Sequence, residues 1–184
     1  MNRLEALRAS YTRYVSLPWD RSLPGQQRVW FAVYDPVDER RLRLHLTNFE
    51  IATREAGHDW RPCDLTGAFA RWMAGQEYRE AYFKSPKKLL NPHPGFEAAV
   101  ADQVLEVLKG ADEHTVVAVT GVASLFGFMK VARLMELVQN SIQGRLLVFF
   151  PGEYQDNTYR LLDARDGWNY HAVPITAAGG LESA

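Results

Sequence analysis

Two apolar runs, each closed by a glycine, constrain this chain more than anything else in it. Thr115-Val-Val-Ala-Val-Thr-Gly121 is the first, and Arg145-Leu-Leu-Val-Phe-Phe-Pro-Gly-Glu153 is the second. Each has the length and composition of a strand buried on both faces. A helix-length segment, about Leu125 to Ser141, lies between them. Strand, crossover helix and strand make the unit of a parallel sheet, and the turns at its strand ends are where such sheets present function. The expected fold is α/β, with a mainly parallel central sheet, helices on both faces and an antiparallel C-terminal hairpin.

The rest of the chain extends that pattern. Residues 2–16 read as helix, with Leu4, Leu7, Tyr11 and Tyr14 or Val15 on one stripe. Pro18, Pro24 and Gly25 break the chain into a loop. Arg28–Tyr34 reads as the first strand. Asp35 stops it and caps a helix that Pro36 opens and that runs to about Ala56. Asp59–Cys63 reads as a short second strand, which Pro62 moves toward an edge. Asp64 is expected to cap a helix holding Leu65, Phe69, Trp72 and Met73. Residues 75–94 are irregular, and Phe96–Lys109 is an amphipathic helix stopped by Gly110. Beyond Glu153, β segments at Thr158–Leu162 and Asn169–Val173 flank Asp163–Gly167, which reads as a hairpin loop. The 184 residues fit a single α/β domain, with a helical arm over residues 1–24 and a frayed tail over 177–184.

The totals exclude several classes. A hydrophobic fraction of 47% and an aromatic fraction of 12% are ample for a core and argue against disorder. Lys plus Arg total 21 against 22 Asp plus Glu, so there is no general pull toward nucleic acid and any such contact needs a local patch. The lone Cys63 cannot form an internal disulfide, which fits a reducing compartment. The first residues are charged where a signal peptide is apolar, and no run approaches the ~20 apolar residues that span a bilayer. A cytoplasmic protein without a membrane partner is expected.

Candidate chemistry sits at the two glycine turns. Thr120, Gly121 and Ser124 follow a buried strand and open a helix, where backbone N–H groups meet phosphate in nucleotide-binding proteins. The Gly-Lys-Ser/Thr ending of a phosphate loop is missing, because Phe128 follows Gly127 and Lys130 lacks the hydroxyl residue after it. The scaffold is thus Rossmann-like or P-loop-like without a phosphate loop, and the plain reading of Gly121 is a tight strand-to-helix turn. Pro151 and Gly152 are expected to force the chain out of the sheet. That would set Glu153 and Tyr154 at a strand end beside Gly121, with Asp35 across the same crevice. Two such carboxylates suit a general base or a magnesium site, and they equally suit helix caps and loop hydrogen bonds. The histidines at 45, 58, 93, 114 and 171 show no zinc spacing, and Ser124 and Ser141 lack nucleophile-elbow glycines. No metal, no cofactor and no catalytic residue is expected. Lys84, Lys87 and Lys88 beside Tyr82 and Phe83 form the one compact basic and aromatic cluster, either a weak nucleic-acid contact or a solvated loop. Trp168 and Tyr170 are candidate interface aromatics or core-facing residues.

Thr120-Gly-Val-Ala-Ser-Leu125, Gly144-Arg-Leu-Leu-Val-Phe-Phe-Pro-Gly-Glu-Tyr154, Tyr159-Arg-Leu-Leu162 and Asn169-Tyr170 together resemble the BrxB family of BREX bacteriophage-defence systems. The resemblance is specific over about residues 115–175 and looser over 28–60. Ala123 in place of a glycine, and a crossover segment without Arg-Ser-His, mark a divergent branch. The resemblance implies a role within a defence complex whose other members include PglZ, a large ATPase and a DNA methyltransferase. It brings no catalytic residue. By position it singles out Thr120, Gly121, Ser124, Pro151, Gly152, Glu153, Tyr154 and Arg160. The expected function is a non-enzymatic adaptor. A nucleotide- or metal-dependent enzyme using Asp35 and Glu153, or a nucleic-acid subunit using Lys84, Lys87 and Lys88, are the alternatives.

Overall fold

A computed structural model describes residues 2–89, 91–168 and 171–179. Its strands are β1 (Val29–Tyr34), β2 (Asp59–Asp64), β3 (Thr115–Thr120), β4 (Arg145–Gln155), β5 (Thr158–Leu161), β6 (Ala164–Trp168) and β7 (Val173–Ile175). Its helices are α1 (Arg3–Val15), α2 (Glu39–Glu55), α3 (Ala68–Ala74), α4 (Arg79–Lys84), α5 (Pro94–Lys109) and α6 (Val131–Val138). Among the described residues, no helix is long and apolar enough to cross a membrane.

Five strands run parallel in the order β2-β3-β4-β1-β7. Residues of β1, β3 and β4 alternate between two cores, as the two-residue repeat of a strand requires. Phe31, Val117 and Val148 face α5 and α6 through Val104, Leu134 and Val138. Trp30, Val116 and Leu147 face α1 and α2 through Tyr11, Leu42 and Phe49. Coverage on both sides explains why the central strands are apolar throughout instead of alternating. Each fully buried large side chain contributes ~1.5–3 kcal/mol. This is the expected α/β fold. Pro62 lies in the edge strand β2, where a missing N–H is tolerated.

Two helix starts matter for the site. A capping box begins α1: Glu5 N donates to Asn2 Oδ1 at 2.9 Å, and Asn2 N donates to Glu5 Oε2 at 3.0 Å. This fixes the first turn, which carries Arg3. Tyr11 ties α1 to α2 through a buried hydroxyl contact with Thr53 at 2.5 Å. After β1, Asp35 accepts from Val37 N and caps a short 3-10 turn, Pro36–Asp38, before α2 begins.

The connections leaving the neighbours β1 and β4 run to opposite edges. From β1 the chain crosses by α2 to edge strand β2, and from β4 it goes by β5 and β6 to edge strand β7. Such a switch of direction opens a crevice outside the carboxyl ends of the two strands.

Several local expectations are corrected. Pro151 and Gly152 do not end β4, which runs on to Gln155 and passes from the parallel sheet into an antiparallel one with β5. Pro151 has no N–H to place, and its carbonyl accepts from Leu162 N at 2.9 Å. Asp156 and Asn157 form the β4–β5 turn, both left-handed at φ 51° and 57°, as a type I′ hairpin needs. Asp163–Gly167 is not a loop, because Ala164–Trp168 is strand β6, antiparallel to β5. Of the expected segment Asn169–Val173, Asn169 and Tyr170 lie outside the described residues, and Val173 opens β7 beside β1. Of the expected tail, residues 180–184 lie outside them too. Leu125–Ser141 is not one helix. A 3-10 turn, Val122–Leu125, gives way to a loop through Gly127 at φ +81°, and α6 is eight residues long. Asp64 ends β2 rather than capping a helix, and its carboxylate holds a turn before α3.

Candidate functional site

The crevice beyond β1 and β4 is a cavity of about 280 Å³. Asp35, Gly152 and Glu153 line it together, joined by Arg3, Tyr34 and Asp38. The parallel neighbours β1 and β4 bring the first three together, whereas Gly121, expected beside Glu153, does not line this crevice, and Glu153 lies within β4 instead of at its end. Asp35 is occupied twice, by Val37 N at 3.1 Å and by Arg3 Nη1 at 2.9 Å. The Arg3 pair is exposed, so it contributes ~1 kcal/mol at most. Asp38 meets Arg41 at 3.4 Å. The exposed Glu153 stands opposite Arg160 in the β4–β5 register. Three carboxylates against one lining cation make this rim hostile to phosphate.

Thr120, Gly121 and Ser124 form a separate group at the ends of β3 and β2. Gly121 is left-handed at φ +78°, and a Cβ there would lie 2.4 Å from Thr66 Oγ1. Only glycine fits that approach. Ser124 Oγ lies 2.7 Å from the Gly121 carbonyl and 3.0 Å from that of Leu65, so its one proton is shared between backbone acceptors. The Thr120 carbonyl accepts from Leu65 N at 2.9 Å. These bonds fasten the β3 turn to the β2 turn.

A chain of polar contacts, absent from the sequence reading, connects the two groups. The Tyr34 phenol donates to Glu39, which accepts from Arg43 Nε at 2.7 Å. Arg43 Nη2 donates to Thr66 Oγ1 at 2.8 Å, and Thr66 donates its hydroxyl and its N–H to Asp64 Oδ1 at 2.6 and 2.9 Å. Burial, then the bond to Glu39, pushes the Tyr34 phenol upward. Burial alone would raise Asp64, but the two Thr66 bonds and Arg43 outweigh it and hold the carboxyl below its ordinary range. Burial, helped by the Asp64 charge, lifts the Cys63 thiol to about 11, which removes it as a nucleophile near neutrality. The one local signal in the sequence was Asp64-Leu-Thr66, the spacing of a side-chain turn. Glu39 and Arg43 are four apart on α2, the spacing of a helix ion pair, whereas nothing in the sequence joins Tyr34 to Glu39 or Arg43 to Thr66.

The remaining candidates lie elsewhere. Tyr154 packs on Tyr159 at 4.7 Å and donates to Asn157 Oδ1 at 2.9 Å. Arg160 donates to the Asp163 carbonyl at 2.9 Å. Trp168 ends β6, and Tyr170 lies outside the described residues. Lys84 ends α4, and Lys87 and Lys88 sit in an exposed 3-10 turn, Pro86–Lys88. Among the described residues, no three or more His, Cys, Asp or Glu converge as possible metal ligands.

Neither a curated protein nor a solved structure gives a significant match to the chain. A family model described as BREX protein BrxB matches residues 70–175, from within α3 to the last residue of β7. The matched stretch holds β3, the Gly121 turn, all of β4 and its antiparallel extension, and it covers more than half of the 184 residues. The chain belongs to the BrxB family.

Proposed function

We propose that this protein is a non-enzymatic adaptor subunit of a BREX phage-defence complex, which docks other proteins of that system. PglZ, the large ATPase and the DNA methyltransferase are the partners the family points to. One observation carries the reading: apart from the exposed Glu153, the charged and hydroxyl groups traced at the carboxyl edge of the sheet are engaged with one another. Asp35 holds Arg3 and a backbone N–H, and Tyr34, Glu39, Arg43, Thr66 and Asp64 satisfy each other in sequence. A general acid or base needs a proton-exchanging atom turned toward a substrate. A phosphate site needs free N–H donors and positive charge, whereas the turn after β1 presents Asp35, Pro36 and Asp38. A rigid edge of satisfied groups suits a docking face.

The test is co-expression of the tagged protein with its neighbouring BREX genes. The expected outcome is a stable complex with at least one named partner at defined stoichiometry. Titration calorimetry of the purified protein with ATP and magnesium should show no binding tighter than about 10 μM, nearly 7 kcal/mol. Tight nucleotide binding, or failure of every partner to co-purify, defeats the adaptor reading.

A further inference from the structure

Helix α2 turns one face inward and leaves the opposite one bare. Leu42, Phe49 and Ala52 pack toward α1 and the sheet. Arg40, Leu44, Thr47, Ile51 and Glu55 follow one another at helical spacing, so they form one stripe along the outer face. All five are exposed. Leu44 is 81% exposed and Ile51 47%. A lone surface leucine needs no explanation, but two apolar side chains seven residues apart repeat the period of a helix-pairing seam.

The charges of α2 divide into two sets. Glu39 pairs with Arg43 at 2.7 Å, Arg41 with Asp38 at 3.4 Å and Arg54 with Glu50 at 2.9 Å. Arg40 and Glu55 remain, with no ion-pair partner among the described residues. Both lie on the bare stripe, one at each end. The helix between them holds their backbones about 22 Å apart, so they cannot meet within one chain.

A reversed copy of the same stripe brings them together. Take two α2 helices laid antiparallel, with a two-fold axis between Thr47 and Asn48. Leu44 of each copy then faces Ile51 of the other, and Arg40 of each faces Glu55 of the other. Such self-matching is what an isologous contact requires. Thr47, a small residue, lies at the crossing and lets the helices approach. Parallel pairing would instead set Arg40 against Arg40 and Glu55 against Glu55. The antiparallel register does bring Arg41 level with Arg54, but both lie beside the stripe and are already held by carboxylates.

We propose that α2 is the contact face of a homodimer, in which two copies pair antiparallel through Leu44 and Ile51 and close each end of the seam with an Arg40–Glu55 ion pair. The inference goes beyond the adaptor role and does not depend on it. A dimer would present every docking face of the adaptor twice. One helix face is smaller than the ~800 Å² per partner of a standard interface, so a dissociation constant in the micromolar range is expected.

Sedimentation equilibrium of the purified protein across the micromolar range should show monomer and dimer in exchange. Arg40→Glu and Glu55→Arg should each weaken the dimer by about tenfold, because each sets like charges against one another at both ends of the seam. An equimolar mixture of those two variants should dimerise as the wild type does, since the reversed charges match again at both ends. Leu44→Glu should leave only monomer. All three positions are exposed, so thermal melts of the variants should match wild type. A wild-type protein that stays monomeric throughout overturns the proposal. So does a dimer that survives the variants, or a mixture that pairs no better than either variant alone. If the face takes a different protein instead, the wild type will be monomeric and Leu44→Glu will lose a partner from the co-purified complex, which also overturns the proposal.

Discussion

Gly152 of β4 and Arg160 of β5 approach so closely that a Cβ on the glycine would stand 1.9 Å from the Arg160 carbonyl oxygen. The neighbour is backbone, which cannot swing aside as a side chain can. Gly152→Ala is therefore expected to push the β4–β5 hairpin off the sheet and to destabilise the protein by about 2–3 kcal/mol, the upper part of the range for overpacking. Urea unfolding measures it. A variant within 0.5 kcal/mol of wild type, as for an ordinary surface change, would show that the two backbones separate freely.

Asp64 gives the protein a pH dependence of defined sign. Its folded-state pKa lies below the unfolded value of ~4, because Thr66 and Arg43 outweigh burial. Its contribution is complete above that value and is lost as pH falls through the folded one. Asp64→Asn should cost ~0.5–1 kcal/mol at pH 7, a figure reduced for solvent screening of a half-exposed carboxylate. The difference between the two proteins should shrink as the pH falls below the ordinary carboxylate range and through the lowered folded-state pKa. Unfolding curves at several pH values follow the convergence, and a constant difference would remove Asp64 as its source.

Glu153 separates adaptor from enzyme. It lines the crevice beside Asp35, so it is the carboxylate on which a catalytic reading would depend. Glu153→Gln keeps size and acceptor capacity but cannot take a proton or hold a divalent cation well. The expected result is normal folding and phage restriction close to wild type. If the variant folds and retains its partners yet restricts no better than a gene deletion, Glu153 acts chemically.

Changing Lys84, Lys87 and Lys88 together to Ala is expected to leave stability within about 0.5 kcal/mol, since all three are exposed. DNA binding by the wild-type protein should be weak and vanish in moderate salt. Submicromolar binding at physiological salt, abolished in the triple variant, would give this loop a nucleic-acid role.

The parts of the fold that follow from a strong local period were legible in the sequence. Val116–Val119 and Leu146–Phe150 announce central strands because both faces are covered, and Asp35-Pro36 announces the turn before α2. Errors arose where tertiary contacts override local chemistry. Pro151-Gly152 reads as a stop, yet the chain stays extended because β5 takes over as its partner. Asp163–Gly167 reads as a turn because Asp and Gly favour one, yet β5 draws Ala164–Gly167 into a ladder. The candidate site divides in the same way. Asp35 and Glu153 come together because the order of parallel strands brings their ends together. In the Tyr34–Glu39–Arg43–Thr66–Asp64 chain, spacing records only Glu39–Arg43 and Asp64–Thr66; the links from Tyr34 to Glu39 and from Arg43 to Thr66 need side-chain directions that the sequence does not give.

The position of β1 between β4 and β7 has a consequence for biosynthesis. Val29 pairs with Leu146 and Trp30 with Val173, so each ladder that β1 joins closes a loop of more than a hundred residues. Loops of that span make pairing slow, and a chain emerging from the ribosome presents its first strand long before either neighbour exists. Val-Trp-Phe-Ala-Val-Tyr must then wait, apolar and unpaired, until β4 has been made. Closure of this sheet around β1 has to await β4 and β7, and until they are made β1 is an unpaired apolar strand, the kind of segment that aggregates.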